Sequence, residues 1–238
     1  MNTDNDKEIK ASELPTSINN SNVVISLHST TVSQDLNQGP HTAQSFPVIH
    51  HFFTHEAIGV SHLLRQARQR IVLHAAFYPK YGSNDNAGVN LRRAMEDNHE
   101  LQLTVIFTDI DHVVWAEEFA HVLRPSIPFH DFKKELEKSK GYFINNLDAD
   151  VSRRVHIYDS ARLPMFPVIL IDDILIVGHY AHSSELAPDG LWLTIQHSSI
   201  PEMYQKLLKG EDPACKTAEE RAILRYVEEL VPPDSDPI

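Results

Sequence analysis

The sequence predicts an α/β domain with a mixed sheet flanked by helices, and three observations carry that prediction. Apolar runs of strand length, Ile71–Phe77 and Leu101–Phe107, alternate with stretches whose apolar residues recur at helical spacing. The segment FPVILIDDILIVGHYAH, Phe166 to His182, sets two apolar runs on either side of Asp172-Asp173 and reads as a β-hairpin closed by a two-residue turn. Two helical patterns, Pro201–Lys209 and Ala218–Leu230, then close the fold.

Taken in order, residues 1–45 are rich in Asn, Ser, Thr, Gln and Asp, with one short apolar piece at Val23–Leu27, and read as a disordered polar tail. From Phe46 the texture changes. Ile49, Phe52, Phe53, Ile58, Val60, Leu63, Leu64 and Ala67 supply helical spacing up to Arg70, ahead of the strand at Ile71–Phe77. Tyr78–Gly88 reads as a loop, Val89–Asn98 as a short amphipathic helix and Leu101–Phe107 as the next strand. Val113–Leu123 and Phe129–Asn145 read as helices, Val155–Tyr158 as a strand, and Trp192–Ile195 as a further strand after the hairpin. The expected organisation is one α/β domain over 46–231 with a terminal β-hairpin and a helical C-terminus, followed by a disordered tail over 232–238.

Composition narrows the function classes. With 238 residues and 42% hydrophobic content the chain can bury one sizeable core. Its apolar runs fall far short of the roughly 20 residues that span a bilayer. The polar, acidic start lacks the apolar stretch of a secretory signal, so a cytoplasmic location is expected. The single cysteine, Cys215, forms no internal disulfide and reads as an incidental thiol. A formal charge of −12 argues against nucleic acid as the main partner. Another protein remains open as a partner, a second copy of the chain in a homodimer included; a small anionic ligand is implied only by the resemblance that follows.

The helix-to-strand unit LLRQARQRIVLHAAFY, the segment LRRAMEDNHELQLTVIF and the hairpin VILIDDILIVG together resemble a phospholipase D-type domain over roughly residues 50–196. In that family the hairpin carries a His-x-Lys-x4-Asp motif whose histidine is the nucleophile. With Asp172 as the motif's aspartate, Met165 stands at the histidine position and Pro167 at the lysine position. The resemblance therefore implies a degenerate, non-catalytic member: a ligand-sensing or protein-interaction module, regulatory in role, binding a small anionic or phosphorylated ligand.

A second resemblance is to haloacid dehalogenase-type phosphatases, carried by VIFTDIDHVV at Val105–Val114 and by the Asp172-Asp173 pair. It implies a Mg2+-dependent phosphohydrolase with Asp109 as nucleophile, Asp111 as acid and base, and Asp172 or Asp173 as metal ligand. Read as residues alone, Asp109 or Asp111 can equally cap the following helix, and Asp172-Asp173 can simply form a turn.

Histidine is the third signal, with 15 in the chain. His179, His182 and Glu185 recur at three-residue intervals after Gly178, a spacing that suits Zn2+ if the segment is helical. His74, inside an apolar strand, reads as a hydrogen-bonded core imidazole or as a ligand contact, and Lys80 just beyond that strand reads as an anion contact. The expected pocket lies at strand ends and takes His74, Lys80, Asp109, Asp111, His179 and His182, with His179 and Lys80 on the anion. A third reading is a partner-binding scaffold docking through the Ile223, Leu224, Val227 and Leu230 stripe.

Overall fold

A computed structural model describes residues 46–74, 78–180, 189–233 and 237. The expected tail over 1–45, the end of the strand at 75–77, residues 181–188 with His182 and Glu185, and most of the expected tail over 232–238 lie outside the described residues. The described chain builds a seven-stranded mixed sheet, with strand order β1-β7-β6-β5-β2-β3-β4. Its strands are β1 (Val48–Phe52), β2 (Arg70–His74), β3 (Gln102–Thr108), β4 (Val155–Ser160), β5 (Val168–Ile171), β6 (Ile174–Val177) and β7 (Trp192–Gln196). β2, β3 and β4 run parallel, joined by helical crossovers, while every other pairing is antiparallel.

Helices cover both faces, and strand alternation sorts the side chains between them. Along β2, Ile71 and Leu73 join one core and Val72 the other; along β5, Ile169 and Ile171 join the first, Val168 and Leu170 the second. The first core is closed by α1 (Val60–Gln66), α2 (Tyr78–Tyr81), α3 (Asn86–Asp97), α4 (Ala116–Leu123) and α5 (Phe129–Asn145) through Leu64, Tyr81, Met95, Phe119 and Phe143. A short α6 (Ala149–Ser152) leads from α5 into β4. The second core is closed by α7 (Ile200–Leu208) and α8 (Ala218–Glu229), using Ile200, Met203, Tyr204, Ile223 and Val227. Of the apolar stripe expected as a docking face on α8, Ile223, Val227 and Leu230 are therefore core, and Leu224 is half-buried. α8 begins at a capping box in which the Thr217 hydroxyl accepts from the Glu220 amide and the Glu220 carboxylate accepts from the Thr217 amide.

The hairpin forms as expected, buried on both faces along most of β5 and β6, which is why it reads as continuous apolar runs. Asp172 takes the left-handed conformation that its turn requires, with φ 53°. Gly178 is fixed by close approach: a Cβ there would stand 2.7 Å from the Trp192 ring and 2.8 Å from Pro167 Cγ.

Two expectations are corrected. The helical spacing from Phe46 to Arg70 conceals an edge strand, β1, antiparallel to β7, before α1 begins at Val60. The expected loop at Tyr78–Gly88 holds α2 and the start of α3. Among the described residues, no helix is long and apolar enough to cross a membrane.

Candidate functional site

The carboxyl ends of β2, β3 and β4, beside the point where the sheet turns from parallel to antiparallel, form the end of an α/β sheet where ligands characteristically bind. A groove of about 1190 Å³ opens there, walled by residues from three stretches of the chain, 114–129, 163–165 and Tyr180. Val114 and Trp115 come from the β3–α4 connection, Phe119 from α4, Ile127 from the α4–α5 connection, Phe129 from the start of α5, Leu163 and Met165 from the β4–β5 connection, and Tyr180 from beyond β6. Trp115, Phe119 and Tyr180 stack edge to face in sequence, with centroids 5.6 and 5.3 Å apart. Val114, Leu163 and Met165 are exposed large hydrophobics, and the polar lining comes from Glu117, Glu118, His121 and Ser126.

Behind Met165, the C-terminus of α8 is latched to the same end of the sheet. Arg162 Nη2 donates to the carbonyl oxygens of Glu228, Glu229 and Val231 at 3.1–3.3 Å, gathering the acceptors at and just beyond the helix end. The Met165 amide donates to Glu229 Oε2 at 3.3 Å, and burial pushes the Glu229 carboxyl above its ordinary range.

His74 lies beneath this latch, 1% exposed, with Nδ1 4.0 Å from Glu229 Oε2. Neither ring nitrogen makes a hydrogen bond, so the expected hydrogen-bonded core imidazole is buried but unpartnered. Burial, reinforced by the Arg162 charge, lowers it to about 4 and holds it neutral.

The other expected site residues are dispersed. His179 is exposed and stands edge-on to Phe166, which packs on the α7/α8 core. Lys80 belongs to the opposite face, where it adds to the burial that lowers His55 to about 4. His55 shares a 2.8 Å hydrogen bond with the Tyr81 hydroxyl and packs on Trp192. His179 and Lys80 therefore do not converge on one anion, and His74 is sealed from both.

Asp109 and Asp111 do sit at the β3 terminus, but each is engaged and neither caps α4. His112 Nδ1 donates to Asp109 Oδ1 at 2.8 Å, and Lys133 pairs with Asp111, holding its carboxyl below the ordinary range. Asp172 and Asp173 stand at the opposite end of the sheet. The Asp172 carboxylate accepts from the backbone amides of Arg68, Gln69 and Arg70 at 2.8–3.1 Å, and Asp173 Oδ2 accepts from Gln196 Nε2 at 3.0 Å. This arrangement does not fit a Mg2+ site joining Asp172 or Asp173 to Asp109. Of the residues expected for Zn2+, His179, His182 and Glu185, only His179 lies among the described residues, at the far end of β6 from Asp172 and Asp173. Among the described residues, no group of three or more His, Cys, Asp or Glu side chains is placed to hold a metal.

The groove is not legible in the sequence because three stretches, 114–129, 163–165 and Tyr180, come together only in the fold. The one local signal is the apolar run Val113-Val114-Trp115, which reads as the start of a helix although Val114 is exposed.

No family model matches the sequence, and no curated protein matches it. Among solved structures, the chain is similar to TrmBL2, an archaeal chromatin protein described as showing a novel mode of DNA binding. The identity is 9%, over 72% of this chain and 54% of that one, with a TM-score of 0.40. It is also similar to phosphatidylserine synthase of Haemophilus influenzae Rd KW20, at 11% identity over 76% of this chain and 43% of that one, with a TM-score of 0.42. The chain thus spans about half the length of the structures it matches, and neither similarity assigns a function.

Proposed function

We propose that this chain is a non-catalytic, phospholipase D-like α/β module that binds another protein, taking an apolar helical segment with basic flanks into the groove at the carboxyl ends of its strands. The observation that carries this reading is the convergence of Val114, Trp115, Phe119, Leu163, Met165 and Tyr180 on one groove. At about 1190 Å³ it exceeds the ~300–1,000 Å³ of most small-molecule pockets. Its aromatic and methionine lining is of the kind enriched at protein interfaces. Glu117 and Glu118 favour a cationic flank on the occupant, as does the net charge of −12. The non-catalytic part rests on Met165 and Pro167 at the motif positions: neither a thioether nor a proline ring replaces an imidazole nucleophile or its lysine.

The test is a titration with a short amphipathic peptide of leucine and lysine, and with its leucine–glutamate counterpart, read by tryptophan emission. Trp192 is fully buried and Trp115 lines the groove, so the expected result is a saturable shift of Trp115 emission with the lysine peptide only, lost in Met165→Asp. No shift, or a shift that survives Met165→Asp, overturns the reading. A rise in Tm with inorganic phosphate that is lost in His179→Ala would return it to a small anionic ligand.

A further inference from the structure

The far edge of the sheet, away from the groove, carries none of the usual protections within its strand, the one proline, Pro47, standing just ahead of it. Sheet edges that stay unpaired are blunted by lysine, proline, bulges or inward charges, because their free N–H and C=O groups template further pairing. β1 pairs only with β7 among the described residues, through an unbroken five-residue register, and its sequence VIHHF contains no lysine, arginine, carboxylate or proline.

Its surroundings are apolar as well. Phe46 is 69% exposed and Phe53 73%, with Val48 at 49%, Ile49 at 47% and Leu191 of the adjoining β7 end at 44%. These account for half of the exposed large hydrophobics among the described residues. We propose that β1 is a self-association surface: two copies of this chain pair antiparallel through β1 across a two-fold axis, continuing one sheet into the other.

Three observations select a second copy as the occupant. An antiparallel edge offers the same row of donors and acceptors to its own image, which is what an isologous two-fold interface requires. The stretch from Phe46 to Phe53, FPVIHHFF, carries no formal charge, whereas most other surfaces of a chain at −12 would bring carboxylates face to face. Covering the five exposed apolar side chains on both copies removes on the order of 1,000 Å² from water, taking ~150–250 Å² for each aromatic ring, which reaches the lower bound for a specific interface.

The experiment is sedimentation velocity on the full chain from micromolar to submillimolar concentration, paired with hydrogen exchange across β1. The expected species at high concentration has twice the 27.0 kDa mass of one chain, with β1 amides that gain protection as the dimer forms. Ile49→Lys places a charge in the pairing and is expected to weaken association at least tenfold. Phe53→Ser, outside the strand, is expected to do the same without touching the β1–β7 register, so that a folding defect in the first variant is distinguishable by circular dichroism. A monomer throughout the range overturns the proposal, whether its β1 amides are free or already protected from within the chain. So does a dimer unaffected by either substitution.

Discussion

The two ends of the sheet spend their polar groups in opposite ways. At the hairpin end, Asp172 receives three backbone amides and Asp173 an amide side chain, so the two carboxylates are consumed in tying the turn to the start of β2 and the end of β7. At the other end, His74 is buried without a hydrogen-bond partner, while apolar side chains that could have been covered are left facing solvent. Saturated polar groups mark architecture. Unspent apolar surface and an unpartnered imidazole mark the end at which stability has been given up, which is where ligands of α/β sheets are met.

The largest expected effect tests the structural end. Asp172→Ala removes the acceptor of three backbone amides and places alanine at a left-handed φ of 53°, so a loss of about 3–4 kcal/mol is expected in urea unfolding. Asp172→Asn, which tolerates that conformation and keeps one oxygen, is expected to lose less. Near-equal and negligible losses in both would show that the turn carboxylate is available for something else.

Acid titration tests the opposite end. His55 and His74 are lowered from 6.5 to about 4, chiefly by burial, so between those values the unfolded chain binds more protons than the folded one. Their contribution is complete above pH 6.5 and is lost as pH falls toward 4, at about 3 kcal/mol for each imidazole. Glu229, raised by burial, works in the opposite sense, since its folded form holds a proton at a higher pH than the unfolded chain does. His74→Leu is therefore expected to raise Tm more at pH 5 than at pH 8, and an equal rise at both would contradict the buried neutral imidazole.

Two smaller effects sharpen the contrast. Thr217→Ala removes the α8 cap and is expected to cost about 1 kcal/mol by thermal unfolding. Val114→Ser, at the groove, is expected to change stability by no more than about 0.5 kcal/mol while weakening peptide binding. A groove substitution that destabilised as much as Asp172→Ala would make the groove wall part of the core.

How much was legible follows from the same contrast. The hairpin, the strands at Ile71 and Leu101 and the two closing helices depend on local apolar runs, and they stand in the structure close to where those runs lie. β1 was hidden because Ile49, Phe52 and Phe53 also satisfy helical spacing, and a half-exposed edge strand lacks the continuous apolar run that announces a buried one. The role of Asp172 depends on amides about a hundred residues earlier, which no local pattern reports. His74 was recognisable as buried, since it follows Ile-Val-Leu, but its lack of a partner depends on how α8 ends over it. Lys80 and His179 are expected on one anion from their places just beyond two strands, but which strands neighbour each other is set by the fold, and the chain delivers the two to opposite faces. The groove is a property of three stretches of the chain brought together, so its residues looked like unremarkable loop and helix-start positions.

The most direct test of the account compares the two ends in one measurement: hydrogen exchange of the full chain with and without the saturating leucine–lysine peptide. The account predicts protection confined to the connections around 113–128 and 162–165, with exchange at the Asp172-Asp173 turn unchanged. Protection at the hairpin turn, or none at the groove, would contradict it.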